Sequence, residues 1–327
     1  MRLRRRVPVR DDVRFVRDGN VVTSAGVSAG IDMALWDIKG KRLGAPVWDL
    51  LGGKVRDKVR AIVLLGTIGD SPRPTGPDSF AAAAKHAKNL GYTALKMTPF
   101  PAGWGQLAHG DLIRQNVAIV EAVREAVGWD FDIGIEIHRN MMPGQSVVFA
   151  RQIEKFLPYF YEDPIAPDSV MSMGMVGDKI NLPLAVGERN NTVWEFREYC
   201  MLPGVAFLKP DIGLAGGFTH AKKIAAVAES FHQRILPHHF LGPIANMALT
   251  HIATATPNWD MNEFAPEAGT FKEDIVSNIV EIKDGYFIPP EEPGLGIDID
   301  IEEMAKHPYE AGPGDQTRRP DGSLTLG

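Results

Sequence analysis

The 327-residue chain carries 35 Lys+Arg against 41 Asp+Glu, a net charge of −6. Its only basic cluster, the opening Met-Arg-Leu-Arg-Arg-Arg, reads as a solvated terminus rather than a nucleic-acid footprint, and with no apolar run behind it is no secretory signal. No apolar stretch reaches the roughly 18 residues of a membrane span, and the single cysteine, Cys200, leaves no internal disulfide and fits a reducing cytoplasm.

Apolar Ile31, Ala34, Leu35 and Ile38 at helical spacing predict an amphipathic helix over 28–41, stopped by Gly44 and Pro46. Leu50-Leu51-Gly52-Gly53 then breaks the chain, and 58–65 reads as the first buried strand of the main domain. Helices and strands alternate from there. Helices are predicted over 80–90, 111–127, 145–156, near Met171, and over 193–199, 218–231 and 246–255. Strands fall between them at 93–97, 132–137, 159–161, 184–186, 206–208, 234–236 and 259–261. Eight strands with covering helices predict an α/β fold, a closed (β/α)8 TIM-type barrel rather than an open doubly wound sheet. From about residue 270 the composition turns to Pro and Gly between short apolar runs, and past Pro308 it reads as disordered. The expected division is an N-terminal region over 1–55, the barrel over 56–270, and an extension over 271–327.

Polar residues recur at the ends of the predicted strands: Lys96, Glu136, Glu162, Glu188, Asp211, His238 and Glu263. From Glu136 onward they are 26, 26, 23, 27 and 25 residues apart, the length of one βα unit, so a barrel would bring them to one mouth. A single glutamate of this kind is ordinarily a solvated loop carboxylate. Three in one mouth would repel one another, and a hard divalent cation is the simplest remedy; oxygen donors favour magnesium over zinc. Period-two alternation places His138 on the side of Glu136, suited to acid-base work, and Thr98 on the side of Lys96. His239 alternates to the other face and reads as structural, Asp163 reads as a supporting or loop carboxylate, and Arg189 reads equally well as a ligand-orienting or a substrate-touching group. The glycines 213, 216 and 217 lack dinucleotide spacing and read as turns.

Taken together, Gly30-Ile-Asp-Met-Ala-Leu-Trp-Asp-Ile-Lys-Gly40, Ala94-Leu-Lys-Met-Thr98, Glu136-Ile-His138, Tyr161-Glu-Asp-Pro164, Val186-Gly-Glu-Arg189, Lys209-Pro-Asp-Ile-Gly-Leu-Ala-Gly-Gly217, Pro237-His-His-Phe-Leu-Gly-Pro243 and Asn262-Glu-Phe264 resemble the mandelate racemase subgroup of the enolase superfamily. Within it the chain is most similar to galactonate-type sugar acid dehydratases. The resemblance implies that Glu136, Glu162 and Glu188 bind Mg2+, that Asp211 orients His238 as the base taking the α-proton, and that His138 protonates the departing β-hydroxyl. It further implies that Lys96 holds the substrate carboxylate and developing enediolate, and that Glu263 hydrogen-bonds that carboxylate. The product would be a 2-keto-3-deoxy acid, and the partners implied are the small-molecule sugar acid substrate and further copies of the chain in a homo-oligomer, from dimer to octamer, with no nucleic acid or membrane.

Three departures from the family pattern shape this expectation. Thr98 stands where racemases carry a second lysine, which favours one-face elimination over two-base racemisation. Glu136 stands where Asp is usual, one methylene longer. Relatives begin with a β-meander that residues 1–25 are too few to supply, so the cap is expected to be partial. A racemase, epimerase or cycloisomerase on the same site, and a silent barrel kept as a binding or structural protein, are the competing readings.

Overall fold

The computed structural model describes residues 15–18, 21–24, 27–68, 73–308 and 318–323. The opening arginine cluster and most of the tail past Pro308 lie outside the described residues.

Strands β1 (Phe15–Asp18) and β2 (Val21–Ser24) pair as an antiparallel hairpin ahead of helices α1 (Val27–Leu43) and α2 (Val47–Leu50). Then come the barrel strands β3 (Val59–Leu64), β4 (Ala94–Met97), β5 (Asp132–Glu136), β6 (Phe160–Glu162), β7 (Leu184–Val186), β8 (Val205–Leu208), β9 (Arg234–Ile235) and β10 (Met261–Phe264). Seven helices separate them: α3 (Pro77–Asn89), α4 (His109–Val127), α5 (Pro143–Ile153), α6 (Val170–Gly177), α7 (Val193–Cys200), α8 (Gly217–Ser230) and α9 (Pro243–Thr254). After β10 the described chain makes only two single turns, α10 (Phe271–Asp274) and α11 (Ile301–Met304), so an eighth covering helix is not formed among the described residues.

Consecutive barrel strands pair in parallel from β3 to β9, and β10 pairs in parallel with β3. A parallel bridge between Ile235 and Trp259, two residues ahead of β10, joins the two ends of the ring. The last strand therefore lies over 261–264, later than the predicted 259–261, and Glu263 sits inside it. The buried apolar side chains form two bodies. The larger fills the space between sheet and helices. The smaller takes Ile62, Ala94, Phe160, Ala185, Phe207 and Met261 from six strands and Leu236 from just past β9, and plugs the ring. The β5 member of this layer is Gly134, paired with Phe160; a Cβ there would lie 2.1 Å from Phe160 Cζ, so only glycine leaves room for the ring.

Beyond α10 the chain returns to the barrel. Strands β11 (Ile282–Lys283) and β12 (Tyr286–Phe287) form a hairpin, and β12 adds antiparallel to β3. It also meets the cap helices: Leu295 N–H donates to Asp37 Oδ1 at 2.8 Å, and Lys41 pairs with Asp298 at 2.7 Å. Helix α1 packs on α8 through Trp36, edge-on to Phe218, and Asp32, which accepts from Thr219 N–H at 3.1 Å. The apolar positions that marked this helix in the sequence, Ile31, Leu35 and Ile38, are on its exposed side, so the packed face is a different one from the face that periodicity suggested. Among the described residues no helix is long and apolar enough to cross a membrane.

Candidate functional site

Alternation along each strand builds the site directly on the apolar plug. Two residues beyond Ala94, Gly134, Phe160, Phe207, Leu236 and Met261 stand Lys96, Glu136, Glu162, Lys209, His238 and Glu263, all but the half-open His238 buried. The register pairs Glu136 with Glu162 directly across β5 and β6. Glu188 follows β7 through Gly187, and helix α7 starts just after it, fixed by a capping box in which Thr192 accepts from Glu195 N–H and the Glu195 carboxylate accepts from Thr192 N–H at 2.8 Å.

Carboxylate oxygens of Glu136, Glu162 and Glu188 all lie within 4.8 Å of one another. Lys96 Nζ reaches Glu136 at 3.2 Å, Glu162 at 3.2 Å and Glu263 at 2.9 Å. Lys209 Nζ reaches Glu162 at 3.2 Å and Glu263 at 2.8 Å. On the opposite side, His238 Nδ1 is 2.8 Å from Asp211 Oδ2, and its Nε2 is 3.8 Å from Glu188 Oε2. Asp211 is itself steadied by Gly213 N–H, which donates to its other oxygen at 2.7 Å. His138 touches this group through Arg139, whose guanidinium also pairs with Asp163 and Glu188. The eight residues expected from the sequence thus form one contiguous cluster.

The charges set one another's ionisation. Burial works against a charged Lys96, but the four surrounding glutamates outweigh it and hold the amine well above its usual range. Burial also opposes ionised Glu188 and Glu263; His238, Lys96 and Arg139 nevertheless hold Glu188 down to about 2, and Lys209 and Lys96 hold Glu263 well below the carboxylate range. At Glu162 burial prevails over both lysines and pushes the carboxyl up to about 8. His238 is raised, because the Asp211 hydrogen bond and nearby glutamates overcome the burial that would lower it. His239, on the other face, is pushed down to about 4 by burial.

The donor set fits a hard divalent cation. Glu162 Oε2 and Glu188 Oε2 are buried without a hydrogen-bond partner, a costly state for a carboxylate oxygen that a cation among the three glutamates would relieve. Thr98 Oγ1 is 3.4 Å from Glu136 Oε2, so it lies beside the same carboxylate.

Sequence reasoning did not single out Lys209 or Arg139. Lys209 was findable: it stands two residues after Phe207 on the alternation that yields Lys96 and Glu136. Arg139 was not, because the backbone at His138 and Arg139 is left-handed, at φ 50° and 64°. Strand alternation therefore ends at Glu136 and does not place His138. Asp163, expected as a supporting carboxylate, is buried against Arg139 at 2.9 Å, and Arg189, half exposed, lies 3.5 Å from Glu188.

Two family models match the chain, the enolase C-terminal domain-like model over residues 79–304 and the mandelate racemase/muconate lactonizing enzyme N-terminal domain over 9–52. The D-galactonate dehydratase of Cronobacter sakazakii is 35% identical over 299 residues, 89% of this chain and 75% of that protein. A member of the enolase superfamily from Salmonella Typhimurium superposes with a TM-score of 0.81 at 32% identity, covering 87% of this chain and 76% of that one. An enolase from Agrobacterium radiobacter, bound to sodium and L-malate, gives a TM-score of 0.84 at 26% identity over 93% of this chain and 79% of that one.

Proposed function

The chain belongs to the enolase C-terminal domain-like family of the enolase superfamily, and from that premise we propose that it is a Mg2+-dependent hydro-lyase that dehydrates a sugar acid, an aldonate or aldarate, to a 2-keto-3-deoxy acid. The observation that carries this reading is the Asp211–His238 dyad set against a triad of carboxylates with two unpartnered oxygens. With its Nδ1–H donating to Asp211, His238 presents Nε2 as the base for the α-proton, and the bond to Asp211 favours the imidazolium that forms.

Glu136, Glu162 and Glu188 would hold the cation, which when bound would take up negative charge developing on the substrate carboxylate. Lys96, kept cationic, adds a fixed positive charge to the same place. Glu263 accepts from Lys96 and Lys209 at the end of the last strand, where it is assigned to the substrate carboxylate. His138 is assigned to the departing β-hydroxyl. A threonine hydroxyl at position 98 cannot deprotonate a carbon acid, which supports elimination over two-base racemisation. The same reading includes a cytoplasmic homo-oligomer divided into cap (1–55), barrel (56–270) and extension (271–327).

The test is an assay of the purified protein with magnesium against aldonic and aldaric acids, D-galactonate first, scoring 2-keto-3-deoxy products. Turnover that Glu188→Gln abolishes is the expected result. Solvent deuterium entering the α-carbon without loss of the hydroxyl would instead establish a racemase or epimerase.

A further inference from the structure

Arg139 is almost entirely buried and makes three bonds from one guanidinium: Nη1 to Asp163 Oδ2 at 2.9 Å and to Glu188 Oε1, and Nη2 to His138 Nε2 at 2.8 Å. Its backbone N–H also donates to Asp163 O at 3.0 Å, stitching the exits of β5 and β6 together. Left-handed backbone outside glycine occurs at six described residues, and three of them, His138, Arg139 and Asp163, meet here. Such conformations are costly and persist where surrounding bonds over-determine them.

A guanidinium only donates. His138 Nε2 must therefore accept, which places the imidazole proton on Nδ1. Glu188 Oε1, committed to Arg139, leaves Oε2 as the oxygen without a hydrogen-bond partner. We infer that Arg139 is a positioning residue that holds His138 as the Nδ1–H tautomer and at the same time turns one oxygen of Glu188 toward the cation site. One side chain thereby ties the orientation of a metal ligand to the hydrogen-bonding state of the histidine beside the substrate. A lysine in its place keeps the charge but loses the planar fork that reaches three acceptors.

The kinetic arm of the test rests on the dehydratase reading; the other two arms do not. Histidine-selective 15N labelling, with His138→Gln to assign the signal, reports the tautomer in long-range proton–nitrogen spectra. The wild type should show His138 protonated at Nδ1, and Arg139→Gln and Arg139→Lys should shift it toward the Nε2–H form or a mixture. Magnesium affinity, read by calorimetry, should weaken by about tenfold or more, the usual loss when a ligand's supporting partner is removed. Dehydration should fall further than α-proton exchange. An Nε2–H tautomer in the wild type, or variants with unchanged tautomer and unchanged magnesium affinity, would overturn the proposal. So would failure of both variants to fold, which would make Arg139 a purely structural residue. If no sugar acid exchanges its α-proton in any form of the protein, the dehydratase reading fails while the tautomer and magnesium arms still decide the role of Arg139.

Discussion

The apolar plug and the polar layer above it occupy the same strands, two residues or about 6–7 Å apart, yet obey opposite rules. In the plug, Phe160 and Phe207 fit against Ala94, Gly134 and Ala185, large against small, and every contact gains from exclusion of water. In the layer above, the same burial makes each charge costly, and Lys96 and Lys209 survive there only because carboxylates surround them. Depth in this barrel is a choice between stability and chemistry made within a single step of alternation.

Just past β9, Leu236 and His238 differ in layer but share a face, so substitutions there separate the two layers. His238→Asn should lower α-proton abstraction by about 10²–10⁴-fold, the usual contribution of a positioned base. Its urea midpoint should move little. A variant that keeps its rate would remove the dyad from the chemistry. Lys209→Met tests the polar layer as structure: leaving Glu162 and Glu263 without this partner should cost about 3–5 kcal/mol in urea unfolding. A cost below about 1 kcal/mol would show that Lys96 alone suffices. Leu236→Ala should destabilise by about 2–5 kcal/mol through the cavity it leaves in the plug. Turnover per folded molecule should be retained, and parallel loss of rate would mean the plug also positions His238.

Outside both layers, a buried histidine gives the packing an acid sensitivity of its own. His251 on α9 accepts from Trp48 N–H at 3.1 Å and faces Leu295 O at 3.2 Å, tying α9 to α2 and to the segment after β12; burial pushes it down to about 4. The unfolded chain takes the proton near pH 6.5, whereas the folded imidazole resists until about 4. Stability from this group is therefore full above the unfolded value and lost as pH falls through the window. Unfolding at pH 5 should show about 2 kcal/mol less of it than at pH 7. His251→Asn should flatten that difference, separating the acid sensitivity of packing from that of the polar layer. An unchanged pH profile would mean that other groups carry it.

Much of this was legible in the sequence. Alternation and unit length gave the eight strands, and the spacing of Glu136, Glu162, Glu188, Asp211, His238 and Glu263 gave their convergence, because a closed ring leaves strand ends nowhere else to point. The start of the last strand was misread, since Trp259 makes only an isolated bridge before regular pairing begins at Met261. Lys209 is hard to read from sequence because a lysine ordinarily marks solvent, and only ring closure surrounds it with carboxylates. Strands β11 and β12 have two residues each, too short for any period to show. The exposed side of α1 was misjudged for a different reason: periodicity finds an apolar stripe without saying what covers it.

The pairing of β12 with β3 sets a timetable for the newborn chain. At translation rates of about 5–20 residues per second, roughly 10–45 s separate the emergence of Arg60 from that of its neighbour Tyr286. For most of that interval β3 has neither its closing partner β10 nor its antiparallel cover β12, and the amide and carbonyl groups those strands would pair stay bare. The ring closes late, by contacts between parts of the chain far apart in sequence, a topology that slows folding.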